Sequence, residues 1–239
     1  MASRGGGTGP VEVRHHGQRR DPELPSQAVE DYAKTIFGLE RRAEAPVTTS
    51  ALATRLGVAP ASVTAMLKRM AEGGLVEHEP YRGVRLTSAG KRVALEVIRH
   101  HRLIEAYLAD ALGMPWDRVH AEAEVLEHYI SEELEERMAT ALGNPDVDPH
   151  GDPIPSRNLE ISAEDGISLA EMQPGQGGTF SRVSDSDSEM LRYLAERGIR
   201  PGSELAVTDR QPFGGPLFVQ VAGETHAIGG ELAQRMVIT

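Results

Sequence analysis

The chain has 239 residues, enough for one to three small domains, each with its own core. It contains no cysteine, which excludes a disulfide framework, a thiolate metal site and a thiol nucleophile, and fits a reducing cytoplasm. Its formal charge is −11, from 36 acidic and 25 basic residues, which excludes coating nucleic acid by bulk charge but leaves room for one locally basic DNA-binding face.

Residues 1–25 are rich in Gly, Arg, His and Pro without periodicity and read as a disordered arm. No signal-peptide core is present and no apolar run approaches a membrane span, so no membrane partner is expected. Helical periodicity runs from Gln27 to Arg42, with Val29, Ile36, Phe37 and Leu39 as its apolar positions. A cap at Thr48, Thr49 or Ser50 opens a short helix through Leu52, Ala53 and Leu56, ended by a turn at Gly57. A third helix over 60–72 turns Val63, Met66, Leu67 and Met70 inward and stops at Gly73-Gly74. Leu75–His78 and Gly83–Leu86 read as two strands, and Thr87 or Ser88 caps the helix after them. Three short helices followed at once by a hairpin make residues 26–95 a winged helix-turn-helix rather than a generic three-helix bundle.

Helices are then expected from Ala89 to Leu112 and from Trp116 to Leu142, divided at Gly113-Met114-Pro115, with residues 96–143 forming a helical domain. Residues 144–178 hold many Pro, Gly and Asp and read as a linker. The texture changes after residue 179. Strands are expected near 179–184, 204–209, 216–221, 224–228 and 236–239, with a helix from Ser188 to Arg197. This pattern predicts a small half-open β-barrel over 179–239. The fold class is mainly α with a small β domain.

The central helices carry the chemistry. His120, Glu124, Glu127 and His128 stand at i, i+4, i+7 and i+8, which places them in a stripe about 100° wide. Val119, Ala123, Leu126, Ile130 and Leu134 lie on the adjoining side, expected to face the core. Carboxylates bordering a buried face are costly unless compensated, and a divalent cation compensates them. His101 and Glu105, at i and i+4, point the same way on the preceding helix. His100 has Ile104 at that spacing and reads as solvent-facing or packing rather than as a ligand. Spacing alone serves equally well for an acidic surface helix with two incidental histidines.

The joint pattern resembles the diphtheria-toxin-repressor (DtxR) family. It is carried by Arg99-His100-His101-Arg102-Leu103-Ile104-Glu105, Val119-His120, Glu124-Val125-Leu126-Glu127-His128, Ser131-Glu132-Glu133, the segment Asp148 to Pro155, and Gly198 to Ser203. The resemblance covers nearly everything after residue 26. It implies a metal-dependent repressor with a helical metal-binding and dimerisation domain and an SH3-like (FeoA-like) C-terminal domain, binding inverted-repeat operators in double-stranded DNA as a homodimer. It implies a primary metal site at Asp31, Glu124, Glu127 and His128 and an ancillary site at His101, Glu105 and His120. In iron-responsive members the SH3-like domain adds two ligands; here those positions fall near Arg182, which cannot ligate, and Asp185, which can. Iron-responsive relatives have Met and Cys where this chain has Asp31 and Glu124, whereas manganese-responsive ones have Asp and Glu. Hard carboxylate oxygen suits Mn²⁺, so Mn²⁺ is the expected co-repressor and Fe²⁺ the alternative. The small manganese-responsive relatives also carry a Glu one turn after the Asp, and here that position is Lys34.

The third helix is expected in the major groove. Ala61, Ser62, Thr64 and Ala65 lie on its exposed side with Lys68 and Arg69, and Tyr81, Arg82 and Arg85 on the wing are placed to grip phosphates. Few long donors are available for base readout, so DNA shape is expected to contribute to specificity. Two other function classes are disfavoured. A metal-free, small-molecule-sensing winged-helix regulator predicts an apolar pocket and no change of DNA affinity with chelator. A carboxylate metalloenzyme lacks both the His-Glu-x-x-His motif and the paired Glu-x-x-His pattern.

Overall fold

The structure is a computed structural model that describes residues 25–43, 46–79, 82–163, 166–184 and 187–239. The expected arm before residue 25, Tyr81 and Asp185 lie outside the described residues.

Helices α1 (Gln27–Ala43), α2 (Thr49–Leu56) and α3 (Pro60–Glu72) are followed by the antiparallel hairpin β1 (Val76–Glu79) and β2 (Gly83–Leu86). Local chemistry explains each boundary. The Thr48 side chain accepts a hydrogen bond from the Ala51 N–H to start α2, and Gly57 ends it in the left-handed region. Pro60 opens α3, where its missing N–H costs nothing. Val29, Ile36, Leu52, Val63, Leu67, Met70, Val76 and Val84 are buried as one core. Tyr32 and Ala33 join them. Val47 pairs with Val84 in an isolated antiparallel bridge beside the wing.

Helix α4 (Ser88–Asp110) is capped by the Thr87 hydroxyl, which accepts from the Gly90 N–H. The expected continuous helix from Trp116 to Leu142 is instead two helices, α5 (Val119–Leu126) and α6 (Glu132–Ala141). Ser131 restarts the chain as an N-cap, its hydroxyl accepting from Leu134, and acidic residues fill the first turn of α6 where the helix dipole favours them. That break corrects a second expectation. Val119 and Ala123 are buried, but Leu126 and Leu134 are 40% and 46% exposed, because the chain changes direction between them.

The segment expected as a linker to residue 178 already contributes to the barrel. Strand β3 (Ile167–Ser168) pairs with β8 (Met236–Ile238), and a 3₁₀ turn follows at Leu169–Glu171. With β4 (Gly177–Val183), β5 (Glu204–Arg210), β6 (Leu217–Val221) and β7 (Glu224–Ile228), the sheet order is β3-β8-β4-β5-β6-β7. Helix α7 (Ser188–Ala195) follows β4, and a short helix α8 (Gly230–Arg235), absent from the sequence reading, precedes β8. Phe180, Leu191, Leu194, Ile199, Val219, Ile228 and Met236 fill the barrel, and Trp116, from the turn between α4 and α5, inserts into the same core. Elsewhere in the expected linker, Asp148 and His150 are buried, and the Val183 N–H donates to the His150 carbonyl. No helix among the described residues is long and apolar enough to cross a membrane.

Candidate metal centre

Helices α1 and α5 both pack on α4. The three helices bring together Asp31 and Lys34 from α1, His101 and Glu105 from α4, and His120, Glu124, Glu127 and His128 from α5 and its end. An open cleft of about 910 Å³ lies over them, bordered also by Arg55, Asp152 and Arg182.

Two groups emerge, joined by one residue. In the first, ligand atoms of Asp31, Glu127 and His128 lie within 4.8 Å of one another. His128 Nε2 is 3.0 Å from Asp31 Oδ1 and 3.5 Å from Glu127 Oε1. Its other nitrogen, Nδ1, is 2.6 Å from Glu30 Oε2. With that N–H donated to a carboxylate, the Nε2 lone pair faces the acids, the orientation a metal-ligating histidine needs. Glu30 escaped the sequence reading. Its one signal was its place beside Asp31, which helical periodicity does not flag.

In the second group, His101, Glu105 and His120 meet the same distance criterion. His101 Nε2 is 3.0 Å from Glu105 Oε1 and 3.1 Å from His120 Nδ1, while His101 Nδ1 is 2.5 Å from Glu127 Oε2. Glu127 therefore spans both groups, one oxygen toward each. Glu124, expected with Asp31, instead groups with His101 and Glu127.

Lys34 stands in the middle. Its Nζ is 2.8 Å from Glu124 Oε1 and 2.6 Å from Glu127 Oε1. Burial pushes this ammonium down, but the charges of Glu127 and Glu124 outweigh it and raise its pKa. The Glu127 carboxyl is pushed up by burial, yet the hydrogen bond and charge of His101 and the charge of Lys34 bring it below the usual carboxylate range. Burial leaves Asp31 raised. Glu105 is completely buried, and its charged form is favoured by His101, His120 and His150.

These side chains fit a divalent cation. The donors are carboxylate oxygen and imidazole nitrogen, the mixture that Mn²⁺ and Fe²⁺ accept. Glu105 Oε2 is fully buried without a hydrogen bond, with His150 Nδ1 3.6 Å away and also lacking one. Such orphaned polar atoms are costly unless another group satisfies them. His150, from the expected linker, is thus a further participant that sequence spacing did not bring in.

His100, expected to be solvent-facing or packing, is buried against α6 with Nε2 3.0 Å from Glu135 Oε2. Arg182 donates to Asp152 Oδ1 at 3.1 Å. Arg102 reaches the same loop, with a hydrogen bond to the Pro153 carbonyl and ion pairs to Asp148 and Asp152.

On α3, Ala61, Ser62, Thr64, Ala65, Lys68 and Arg69 are all exposed, on the face opposite Val63, Leu67 and Met70. Thr64 donates its hydroxyl back to the Pro60 carbonyl, and Lys68 makes a 4.0 Å ion pair with Glu72. Arg82 and Arg85 are exposed on the wing.

Three family models match the chain in order. They are the iron dependent repressor N-terminal DNA binding domain over residues 26–84, the iron dependent repressor metal binding and dimerisation domain over 87–156, and the FeoA domain over 167–239. The iron-dependent repressor IdeR of Mycobacterium tuberculosis is 31% identical over 221 residues, covering 87% of this chain and 95% of the relative. The diphtheria toxin repressor of Corynebacterium diphtheriae is 30% identical over 191 residues, covering 76% and 84%. Among solved structures, a manganese-dependent transcriptional repressor in complex with manganese is 40% identical with a TM-score of 0.82, covering 88% of this chain and 99% of that one. ScaR with bound Zn²⁺ is 29% identical with a TM-score of 0.73, covering 90% and 99%. This chain belongs to the DtxR-type family of metal-dependent transcriptional repressors, regulators rather than enzymes.

Proposed function

We propose that this repressor is a cytoplasmic homodimer that binds inverted-repeat operators in double-stranded DNA when Mn²⁺ is the co-repressor. The observation that carries the reading is the placement of Asp31 on α1 of the DNA-binding domain against Glu127 and His128 of the helical domain. Asp31, Glu127 and His128, with Glu124 beside them, would hold one ion, and His101, Glu105 and His120 a second. A bound cation supplies positive charge that neutralises clustered carboxylates and ties α1 to the end of α5. The angle between the two domains then sets the spacing of two α3 helices across the dimer. An oxygen-rich donor set without sulfur supports Mn²⁺ over softer ions. So does the 40% identical neighbour solved with manganese. Fe²⁺ is the second reading, favoured by the iron-dependent relatives at 31% and 30% identity.

Ala61, Ser62, Thr64 and Ala65 would face base edges. Lys68, Arg69, Arg82 and Arg85, together with Tyr81, would meet phosphates. Asp185 stands as a candidate ligand by its resemblance position alone.

The test is operator binding followed by fluorescence anisotropy under titration with Mn²⁺, Fe²⁺, Co²⁺ and Zn²⁺ against a chelated control. Affinity for the metal alone does not decide identity, because Mn²⁺ binds weakest in the divalent series at nearly any such site. Activation at physiological free-ion levels decides it. The expected gain in DNA affinity is roughly 5- to 150-fold, the range of ordinary allosteric coupling. Asp31→Ala should remove that gain while leaving the circular dichroism spectrum unchanged. A variant that still responds to Mn²⁺ as the wild type does would overturn the linkage between the two domains.

A further inference from the structure

Helices α4 and α6 assemble a separate acid–imidazole cluster on the far side of Glu127. Glu96 and His100 stand one turn apart on α4, and Glu132 and Glu135 lie in the opening turns of α6. His100 is 8% exposed and Glu135 7%. His100 Nδ1 lies 3.2 Å from the Glu127 backbone carbonyl. A carbonyl only accepts, so Nδ1 carries the proton and donates it. Burial pushes this imidazole down, but Glu135 and then Glu132 raise it; in its neutral form Nε2 is a bare lone pair that faces two carboxylates. It lies 3.0 Å from Glu135 Oε2 and 3.6 Å from Glu132 Oε1, poorly aligned for a hydrogen bond with either. Lone pairs at such distances repel unless positive charge lies among them.

The carboxylates are also prepared. Glu135 Oε1 accepts from Arg99 Nε at 2.5 Å, which leaves Oε2 turned to His100. Partial desolvation, then the charge and a shared hydrogen bond of Glu132, raise the Glu96 carboxyl, so a third acid adjoins the group. Single ligand atoms of His100, Glu132 and Glu135 lie within 4.8 Å of one another. The Glu132 side chain is 74% exposed, which gives an ion a way in from solvent.

We propose that His100, Glu132 and Glu135, with Glu96 alongside, form a third divalent-cation site. A histidine whose far N–H is fixed by a backbone carbonyl is oriented as metal-ligating histidines are. One imidazole and two or three carboxylates suit a cation of the Mn²⁺ class. The site clamps α4 to the start of α6. Through the hydrogen bond to the Glu127 carbonyl it also steadies the residue whose side chain spans the two groups described above. Its regulatory meaning rests on the metal-responsive reading of the chain, but its occupancy does not.

The test uses the full-length protein and Mn²⁺ as the probe. Equilibrium dialysis at micromolar Mn²⁺ should count one ion per chain more in wild type than in Glu132→Lys, a substitution at an exposed position whose ammonium would sit among the acids. The double variant Glu96→Gln/Glu132→Gln should lose the same single equivalent. Crystals of the Mn²⁺-loaded wild type should show anomalous density between His100 Nε2 and the two carboxylates. Equal ion counts in wild type and variants, or density that appears only at crystal concentrations, would overturn the site and leave His100 as an imidazolium paired with Glu135. Density here with none at Asp31 or His101 would uphold this site and sink the proposed co-repressor function instead.

Discussion

Lys34 is the side chain on which the metal-free state turns. Its ammonium reaches Glu124 and Glu127 from one turn beyond Asp31 and neutralises acids that a cation would otherwise neutralise. Lys34→Met should therefore tighten Mn²⁺ binding by roughly 5- to 900-fold, because a like charge a few ångströms away is worth about 1–4 kcal/mol between bulk water and the effective dielectric of a protein boundary. The same change should lower the melting temperature of the chelated protein, with Mn²⁺ restoring it. Calorimetric titration and thermal melts measure the two effects. Unchanged Mn²⁺ affinity would mean that Lys34 swings away at no cost. The buried imidazoles add a pH dependence. His101 and His150 are each held at about 9. Burial alone would push both down, but the Glu105 charge and hydrogen bond, joined by Glu127 for His101 and by Asp148 for His150, overcome it. A histidine raised above its unfolded value of about 6.5 contributes stability that is complete below that value and is lost as pH rises through the folded one. The urea midpoint of the chelated protein should accordingly fall between about pH 6.5 and 9. Saturating Mn²⁺ should flatten this fall, since metal binding uses the neutral imidazoles. A midpoint independent of pH without metal would show that these rings are already neutral.

At the level of elements, close backbone approach fixes how the wing meets the dimerisation helices. A Cβ on Gly90 would lie 2.0 Å from the Leu75 carbonyl oxygen, which itself accepts from the Thr87 N–H. Gly90→Ala should force α4 away from the hairpin at a cost of about 1–3 kcal/mol or more. Thr87→Ala removes the cap and the hydroxyl's hydrogen bond to the Gly74 carbonyl and should cost about 1–2 kcal/mol. Chemical denaturation would rank the two, and an equal or reversed order would count against the close approach. The restart at Ser131 teaches a related point. The hydroxyl followed by Glu132, Glu133 and Glu135 is a helix-start signal that the chain displays openly. Heptad-like apolar positions on either side of it read as one helix because periodicity ignores a short break in direction.

For the molecule as a whole, exposed apolar side chains and long-range anchors set the assembly. Leu126 and Leu134 remain exposed in the single chain, within the stretch matched by the metal-binding and dimerisation model. Leu126→Glu should shift the protein to monomer in sedimentation velocity and abolish tight binding to an inverted repeat while leaving the fold intact. A variant that stays dimeric would move the interface elsewhere. The barrel is held to the helices by Trp116, whose ring stacks on His150 at a centroid distance of 5.7 Å, and by the Arg192–Asp117 pair at 3.3 Å. His150 in turn lies beside Glu105, so the anchoring of the C-terminal domain and the ancillary group share a residue.

Much of this was legible from neighbours along the chain. The winged module and the barrel strands follow from periodicity, caps and turns, whose causes act over a few residues, whereas the imidazole–carboxylate stripe of α4 and α5 becomes a metal-site reading only through the family resemblance. Glycine and proline mark the boundaries because their backbone restrictions hold wherever they occur. The partnerships that shape the centre were not readable in that way. Lys34 meets Glu127 across 93 positions, Glu30 meets His128 across 98, and Trp116 leaves the helices to fill the barrel core. Each depends on how whole elements pack, because an ion pair or a buried ring forms only where folding brings distant backbone within a few ångströms.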